Sequence, residues 1–361
     1  MKTFKCICGN TLHFENSRCL SCDRVLGFVP EQRGLFAIEP VGDGIWRTPG
    51  FADSTRRYRK CQNYEAYEVC NWLVSEDDPN ALCIACRLNE IIPNLQEARH
   101  LTLWYRIEAA KRRLIYTLDL LGLPVIGRAI DPAHGLAFRF MADTTPGEFY
   151  DEVAAVNRVV TGHTTGIVTI NIAEADPSAR EQTRELMNEA YRTLLGHFRH
   201  ESGHYYWDRL VRNSPHIERF RELFGDERGD YAQALERYYA DGPGQWQEHY
   251  ISAYAAAHPW EDWAETWAHF LHIVDTLETA HDYGFTSKGQ QVNPVHVELQ
   301  AGSGYRVTNT FDDLLAGWLI LTVTLNDLNR SMGLPDAYPF ALRQRAIDKL
   351  RFVYQLINKN R

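Results

Sequence analysis

Hydrophobic and polar positions run along this chain in two rhythms, and the helical one dominates. Across residues 95–121 the apolar side chains Leu101, Trp104, Ile107, Leu114, Tyr116 and Leu118 recur at helical spacing, with Lys111, Arg112 and Arg113 on the other side. That spacing predicts an amphipathic helix with its basic face outward, ended by Gly122 and Pro124. Residues 135–141 and 167–172 switch to a period of two and read as strands, the second as an edge strand able to pair with an extended peptide. The acidic stretch 146–157 between them reads as partly helical. After Asp176-Pro177 the helical rhythm returns, broken at Pro215, Gly225, Gly229, Gly242-Pro243-Gly244 and Pro259. Residues 281–310 read as a long loop or irregular hairpin, and helices over 311–332 and 337–358 close the chain. The pattern predicts an α+β fold, mainly helical with a small β-sheet.

Composition narrows the class. The 361 residues are 45% hydrophobic and 24% charged, as in a soluble globular protein long enough for one large domain or two to three smaller ones. No stretch approaches the roughly 18–20 uninterrupted apolar residues of a membrane span. The opening MKTFKCICGN shows no apolar secretory segment. A net charge of -9 argues against a nucleic-acid or anionic-membrane partner. The expectation is a cytoplasmic protein.

Such a chain needs no disulfide staples, yet it has eight cysteines, all before residue 87. Cys6, Cys8, Cys19 and Cys22 form C-x-C-x10-C-x2-C; Cys61, Cys70, Cys83 and Cys86 form C-x8-C-x12-C-x2-C. Paired thiolates across a short loop offer the four sulfurs that structural zinc takes tetrahedrally. A reducing compartment disfavours disulfides, and ligands could also cross between the clusters. We therefore expect a zinc-ribbon module over residues 1–90 with two structural zinc ions, and a second domain over 91–361. The basic run RRYRK at 56–60 lies in a module of 11 Lys/Arg and 12 Asp/Glu, which reads as a solvated face; protein docking suits this module better than nucleic acid.

Within the cysteine-free remainder, His200-Glu201-Ser202-Gly203-His204 reads H-E-x-x-H in a helical, proline-free segment. Histidines four apart share a helix face, so both imidazoles can hold one zinc ion with Glu201 beside the open position. Gly203 costs about 1 kcal/mol in a helix relative to Ala, and it also lets another backbone approach. A catalytic zinc needs a third protein ligand. A second helix opening at Pro259 carries Glu261 and Glu265 four apart on one face, and either carboxylate suits the role. His197 reads as a packed or capping histidine, His258 as a loop histidine, and His269 and His272 as packing or supporting hydrogen-bond partners.

H-E-x-x-H followed by a helix with E-x-x-A-E, and a tyrosine seven residues before its first Glu, resembles the gluzincin metallopeptidases, in particular their lethal-factor-like branch. The resemblance implies that Glu261 is the third ligand, Glu265 orients a zinc-binding histidine and Tyr254 stabilises the oxyanion. Nearly the whole chain also resembles a bacterial zinc-binding metallopeptidase family with an N-terminal zinc ribbon, through RRYRKCQNYEAYEVCNWLV, GIVTINIAEAD, GHFRHESGHYYWDRL and HPWEDWAETWAHFLH. The implied activity is hydrolysis of a peptide or protein substrate by a water activated at zinc, with Glu201 as general base. Two other readings stand beside it: an adaptor in which the ribbon binds a partner and the second domain is a non-hydrolytic scaffold, and a zinc amidase acting on a non-peptide amide.

Overall fold

The computed structural model describes residues 2–49, 55–143, 159, 161–186, 192–287, 289–292, 295–300 and 304–359. They form two compact units, Met1–Tyr116 with Ile126–Ala179, and Thr117–Val125 with Arg180–Arg361.

The first unit opens on two antiparallel hairpins, β1 (Phe4–Lys5) with β2 (Thr11–Leu12) and β3 (Leu26–Val29) with β4 (Gly34–Ala37). A four-stranded antiparallel meander follows: β5 (Glu39–Gly42), β6 (Ile45–Arg47), β7 (Tyr58–Lys60) and β8 (Leu73–Ser75), with helix α1 (Gln62–Tyr67) between the last two. Val29, Ile38, Tyr58 and Leu73 make one buried cluster of this region. Phe14, Phe28, Trp72 and Tyr116 make another, with the Phe28 and Trp72 ring centres 4.8 Å apart. Tyr116 belongs to the long helix α2 (Ala98–Leu120). Trp104, Ile107, Leu114 and Leu118 are buried as their periodicity predicts, but Lys111 and Arg112, expected outward, are buried as well. The reason lies in what they face, described below.

A second sheet has the order β11-β12-β10-β9, from β9 (Asn89–Ile91), β10 (Ala137–Met141), β11 (Gly162–Thr164) and β12 (Ile167–Asn171). β12 runs parallel to β10 and antiparallel to β11, so it is an interior strand. Its backbone is paired on both sides over Ile167–Thr169, which corrects the expectation of an edge strand. Val168 and Ile170, fully buried, supply the apolar half of the alternation. The segment 146–157, expected to be partly helical, lies outside the described residues. Helix α3 (Pro177–Leu186) follows.

The second unit is helical. Its helices are α4 (Leu194–Leu210), α5 (Ile217–Phe224), α6 (Tyr231–Asp241), α7 (Pro259–Asp282), α8 (Phe311–Ser331) and α9 (Gln344–Lys359). α7 is central and packs against α4, α5, α8 and α9. It buries Trp263, Trp267, Phe270, Leu271, Val274 and Leu277. Two small hairpins, β13 (Thr286–Ser287) with β14 (Gln290–Gln291) and β15 (Val297–Gln300) with β16 (Gly304–Val307), occupy the stretch expected to be loop or hairpin. α8 starts on a reciprocal cap between Thr310 and Asp313. α9 begins at Gln344 and not near residue 337, because Pro339 disfavours helix at Tyr338, whose backbone N–H and C=O instead bond the Asn326 side chain at 2.9 Å each. No helix among the described residues is long and apolar enough to cross a membrane.

Candidate metal centre

Among the described residues, three groups of side chains bring ligand atoms within 4.8 Å of one another: Cys6, Cys8, Cys19 and Cys22; Cys61, Cys70, Cys83 and Cys86; and His200, His204 and Glu261. All eight cysteines are free thiols, and no cluster borrows a cysteine from the other.

Zinc–sulfur bonds of about 2.3 Å set tetrahedral sulfur–sulfur edges of about 3.8 Å. The edges here are 3.7 Å for Cys6–Cys22, 3.6 Å for Cys8–Cys19 and 3.8 Å for Cys70–Cys83, so both sets fit zinc. The first cluster is partly open, with Cys8 exposed and Cys22 half-buried; hydrogen bonds from the Arg24 backbone and side chain draw Cys22 down to about 6. The second is wholly buried. There the backbone N–H groups of Trp72 and Cys83 donate to Cys70 and Cys61 sulfurs at 3.4 and 3.3 Å. Arg112 is buried beside it: burial opposes the guanidinium charge, and Cys70, Glu108 and Cys86 outweigh burial and raise its pKa. Its Nη1 also donates to the Val69 carbonyl at 2.5 Å. Lys111 meanwhile pairs with buried Glu108 at 2.9 Å. Both basic residues are inside because anionic groups inside require counter-charge.

The third group arises where α4 meets α7. Thr193 caps α4 by accepting from the Gly196 N–H at 3.0 Å. His258 caps α7 by accepting from the Trp260 N–H at 3.1 Å, and Pro259 takes the first position. The helices touch at Gly203. A Cβ there would lie 3.0 Å from the Ala264 Cα, and the Trp263 indole donates to the Gly203 carbonyl at 2.8 Å. Glycine thus permits the close approach its place in the motif suggested, and the approach sets Glu261 against both histidines.

Nε2 of His200 lies 3.0 Å from Glu261 Oε2, and Nε2 of His204 lies 3.5 Å from Glu261 Oε1. Metal bonds of 2.0–2.1 Å imply tetrahedral edges of about 3.3 Å, so these donors fit zinc in spacing and in kind. Glu265 stands elsewhere: its Oε1 is 2.7 Å from His200 Nδ1, and its Oε2 accepts from the Ser252 hydroxyl at 2.6 Å. Burial alone would raise both carboxylates, yet the neighbouring imidazoles outweigh it and hold each at about 2. Burial likewise opposes a charge on His200, and the two carboxylates override it and keep its pKa well above the usual histidine range.

Glu201 is buried, one position on from His200 on α4. The Tyr254 ring centre lies 5.9 Å from that of His200, and its phenol is held well above the usual tyrosine range by burial and then by Glu261. His269 bonds the Tyr338 hydroxyl at 2.8 Å and His272 meets Arg199 at 3.1 Å, the supporting roles expected of them. His258 is a buried cap, where a loop histidine was expected. Sequence reasoning missed Tyr231, whose hydroxyl donates to Glu261 Oε1 at 2.8 Å, and Trp260, whose ring centre lies 3.9 Å from that of His204. Tyr231 stands 30 residues before Glu261 on a helix without a buried residue, and no spacing rule connects the two.

Two cysteine sets with zinc-spaced thiols and a helical unit with a His–His–Glu donor set define a protein with three groups suited to zinc. Residues 100–356 match the family model described as "Putative zinc-binding metallo-peptidase", and the chain belongs to that family. Residues 3–97 match a zinc-ribbon domain. Uncharacterized proteins of Mycobacterium bovis and of two Mycobacterium tuberculosis strains are each 41% identical over 99% of this chain and 96% of their own. No solved structure matches the chain.

Proposed function

We propose that this protein is a gluzincin-type zinc peptidase acting on peptide or protein substrates in the cytoplasm, with one catalytic and two structural zinc ions. The observation that carries the reading is the convergence of the His200 and His204 Nε2 atoms on the Glu261 carboxylate, with Glu201 on the same helix. His200, His204 and Glu261 would hold the catalytic ion, and the two cysteine sets the structural ones. Bound there, zinc supplies Lewis-acid polarisation of the scissile carbonyl and lowers the pKa of a water towards about 7.

The chain's own groups do the rest. Glu201 takes a proton from the attacking water and delivers it to the amine as the C–N bond breaks. Glu265, fixed by Ser252, accepts from His200 Nδ1–H and so keeps Nε2 free as a ligand. Tyr254 donates a hydrogen bond to the oxyanion as it forms; a phenol whose pKa is raised stays protonated for that task. Residues 1–90 serve as a structural or docking module and 91–361 as the peptidase domain.

The test is a zinc count on the purified protein with cleavage profiling on a peptide library. Three zinc ions per chain and cleavage support the reading. Three ions without cleavage of any peptide favour the adaptor, and cleavage confined to non-peptide amides favours the amidase.

A further inference from the structure

The geometry points to Tyr231 as the positioning residue for the ligand carboxylate: its phenol holds Oε1 of Glu261, so that Oε2 would be the favoured donor to a metal. This rests on the zinc-centre reading above. It concerns a residue that neither the H-E-x-x-H segment nor the E-x-x-A-E helix contains.

Three observations carry it. First, Glu261 is 1% exposed, and its polar neighbours are His200 at 3.0 Å, His204 at 3.5 Å and Tyr231 at 2.8 Å. A histidine that gives its Nε2 lone pair to a metal has no proton there to donate. Both histidine contacts therefore cease to be hydrogen bonds when the site is filled, and Tyr231 is left as the donor to the carboxylate among the described residues. A buried carboxylate oxygen without a donor is costly, so the phenol's bond is the one that must persist.

Second, the phenol is itself fixed in place by the start of α7. The Tyr231 ring stands edge-on to His258 and Trp260, with ring centres 5.3 and 5.8 Å away, both at 80°. His258 accepts from the Trp260 N–H through Nδ1, so its proton is on Nε2, which faces the Gly229 carbonyl at 3.4 Å. The residue that caps α7 thus also ties down the turn leading into Tyr231. Asp230 caps α6 by accepting from the Gln233 N–H at 3.0 Å, which fixes the helix start that carries the phenol.

Third, the two oxygens of Glu261 are unequally engaged. Oε1 accepts from Tyr231 at 2.8 Å and lies 3.5 Å from His204 Nε2, while Oε2 lies 3.0 Å from His200 Nε2 and has no phenol on it. A phenol bonded to Oε1 would compete with a metal for that oxygen and favour coordination through Oε2. Without the hydroxyl the carboxylate is free to turn both oxygens towards the metal.

The test uses the full-length protein with zinc retained in the cysteine sites and cobalt(II) loaded into the histidine site. Tyr231→Phe keeps the ring and removes the hydroxyl; Tyr239→Phe, on the exposed side of the same helix, is the control. The Tyr231→Phe protein should bind the third metal equivalent roughly ten- to a hundredfold more weakly in chelator competition. Its cobalt absorption should also weaken, the signature of a higher coordination number, while Tyr239→Phe and the cysteine-held zinc stay unchanged. An unaltered cobalt spectrum with unaltered affinity in Tyr231→Phe overturns the proposal and leaves the zinc-centre reading intact. A wild-type protein that takes up no third metal overturns both.

Discussion

Nδ1 of His200 lies 2.7 Å from Oε1 of Glu265, while Nε2 of the same ring lies 3.0 Å from Oε2 of Glu261. One imidazole thus separates two carboxylates four residues apart, and each nitrogen has its own partner. On the proposed zinc-centre reading, the division gives the carboxylates unequal tasks. Glu261→Ala should remove the third zinc altogether, because it deletes a donor. Glu265→Gln should weaken that zinc about ten- to a hundredfold, because it disturbs only the support of a donor. Equilibrium dialysis of the two variants measures both, and equal losses would refute the unequal roles.

Gly203 tests how tightly α4 and α7 must meet. An alanine Cβ would stand 3.0 Å from the Ala264 Cα, a backbone atom that cannot move alone. Alanine gains about 1 kcal/mol of helix propensity over glycine, and overpacking a filled contact costs about 1–3 kcal/mol. Gly203→Ala should therefore be neutral to about 2 kcal/mol destabilising, and it should weaken the third zinc by parting Glu261 from the histidines. Urea unfolding with zinc competition reads both quantities.

Arg112 is buried against the second cysteine set, where four thiolates holding one zinc ion would sum to two negative charges. Arg112→Met keeps the volume and removes the counter-charge. The expected loss is about 3 kcal/mol of stability, together with chelator lability of one cysteine-held zinc. The Cys6, Cys8, Cys19 and Cys22 set should keep its metal. Timed zinc release to a chromogenic chelator separates the two.

His272 is held down at about 3, by burial and then by the charge of Arg199. The native state keeps it neutral while the unfolded chain, at about 6.5, takes up a proton. Stability from this group is therefore full above about pH 6.5 and falls on acidification. Between pH 7 and pH 5 the loss from one such group is about 2 kcal/mol. His272→Gln should flatten that part of the stability–pH curve, measured as the urea midpoint at the two pH values.

Much of this was legible because it rests on spacing. Cys6 with Cys8, Cys19 with Cys22, and His200 with His204 are near in sequence, and turn or helix geometry brings each pair together. The helix with Trp104 and Leu114 was legible for the same reason, as was the helix start at Pro259. What escaped depends on partners distant along the chain. Arg112 reads as a surface charge until Cys70 and Cys86 are placed beside it, and Tyr231 has no signature until α6 brings it to Glu261. Strand 167–172 read as an edge because alternation reports which face is buried and says nothing of how many neighbours a strand has. The late start of α9 followed from Pro339 and the Asn326 bonds, which outweigh a favourable hydrophobic rhythm.

The most direct test of the central claim compares wild type with Glu201→Gln, both carrying three zinc ions, on the same cleaved peptide. Glutamine keeps the size of the side chain and cannot take the proton. The account predicts equal zinc content and a kcat/KM lower by roughly a hundred- to ten-thousandfold in the variant. Undiminished cleavage by zinc-loaded Glu201→Gln would contradict it.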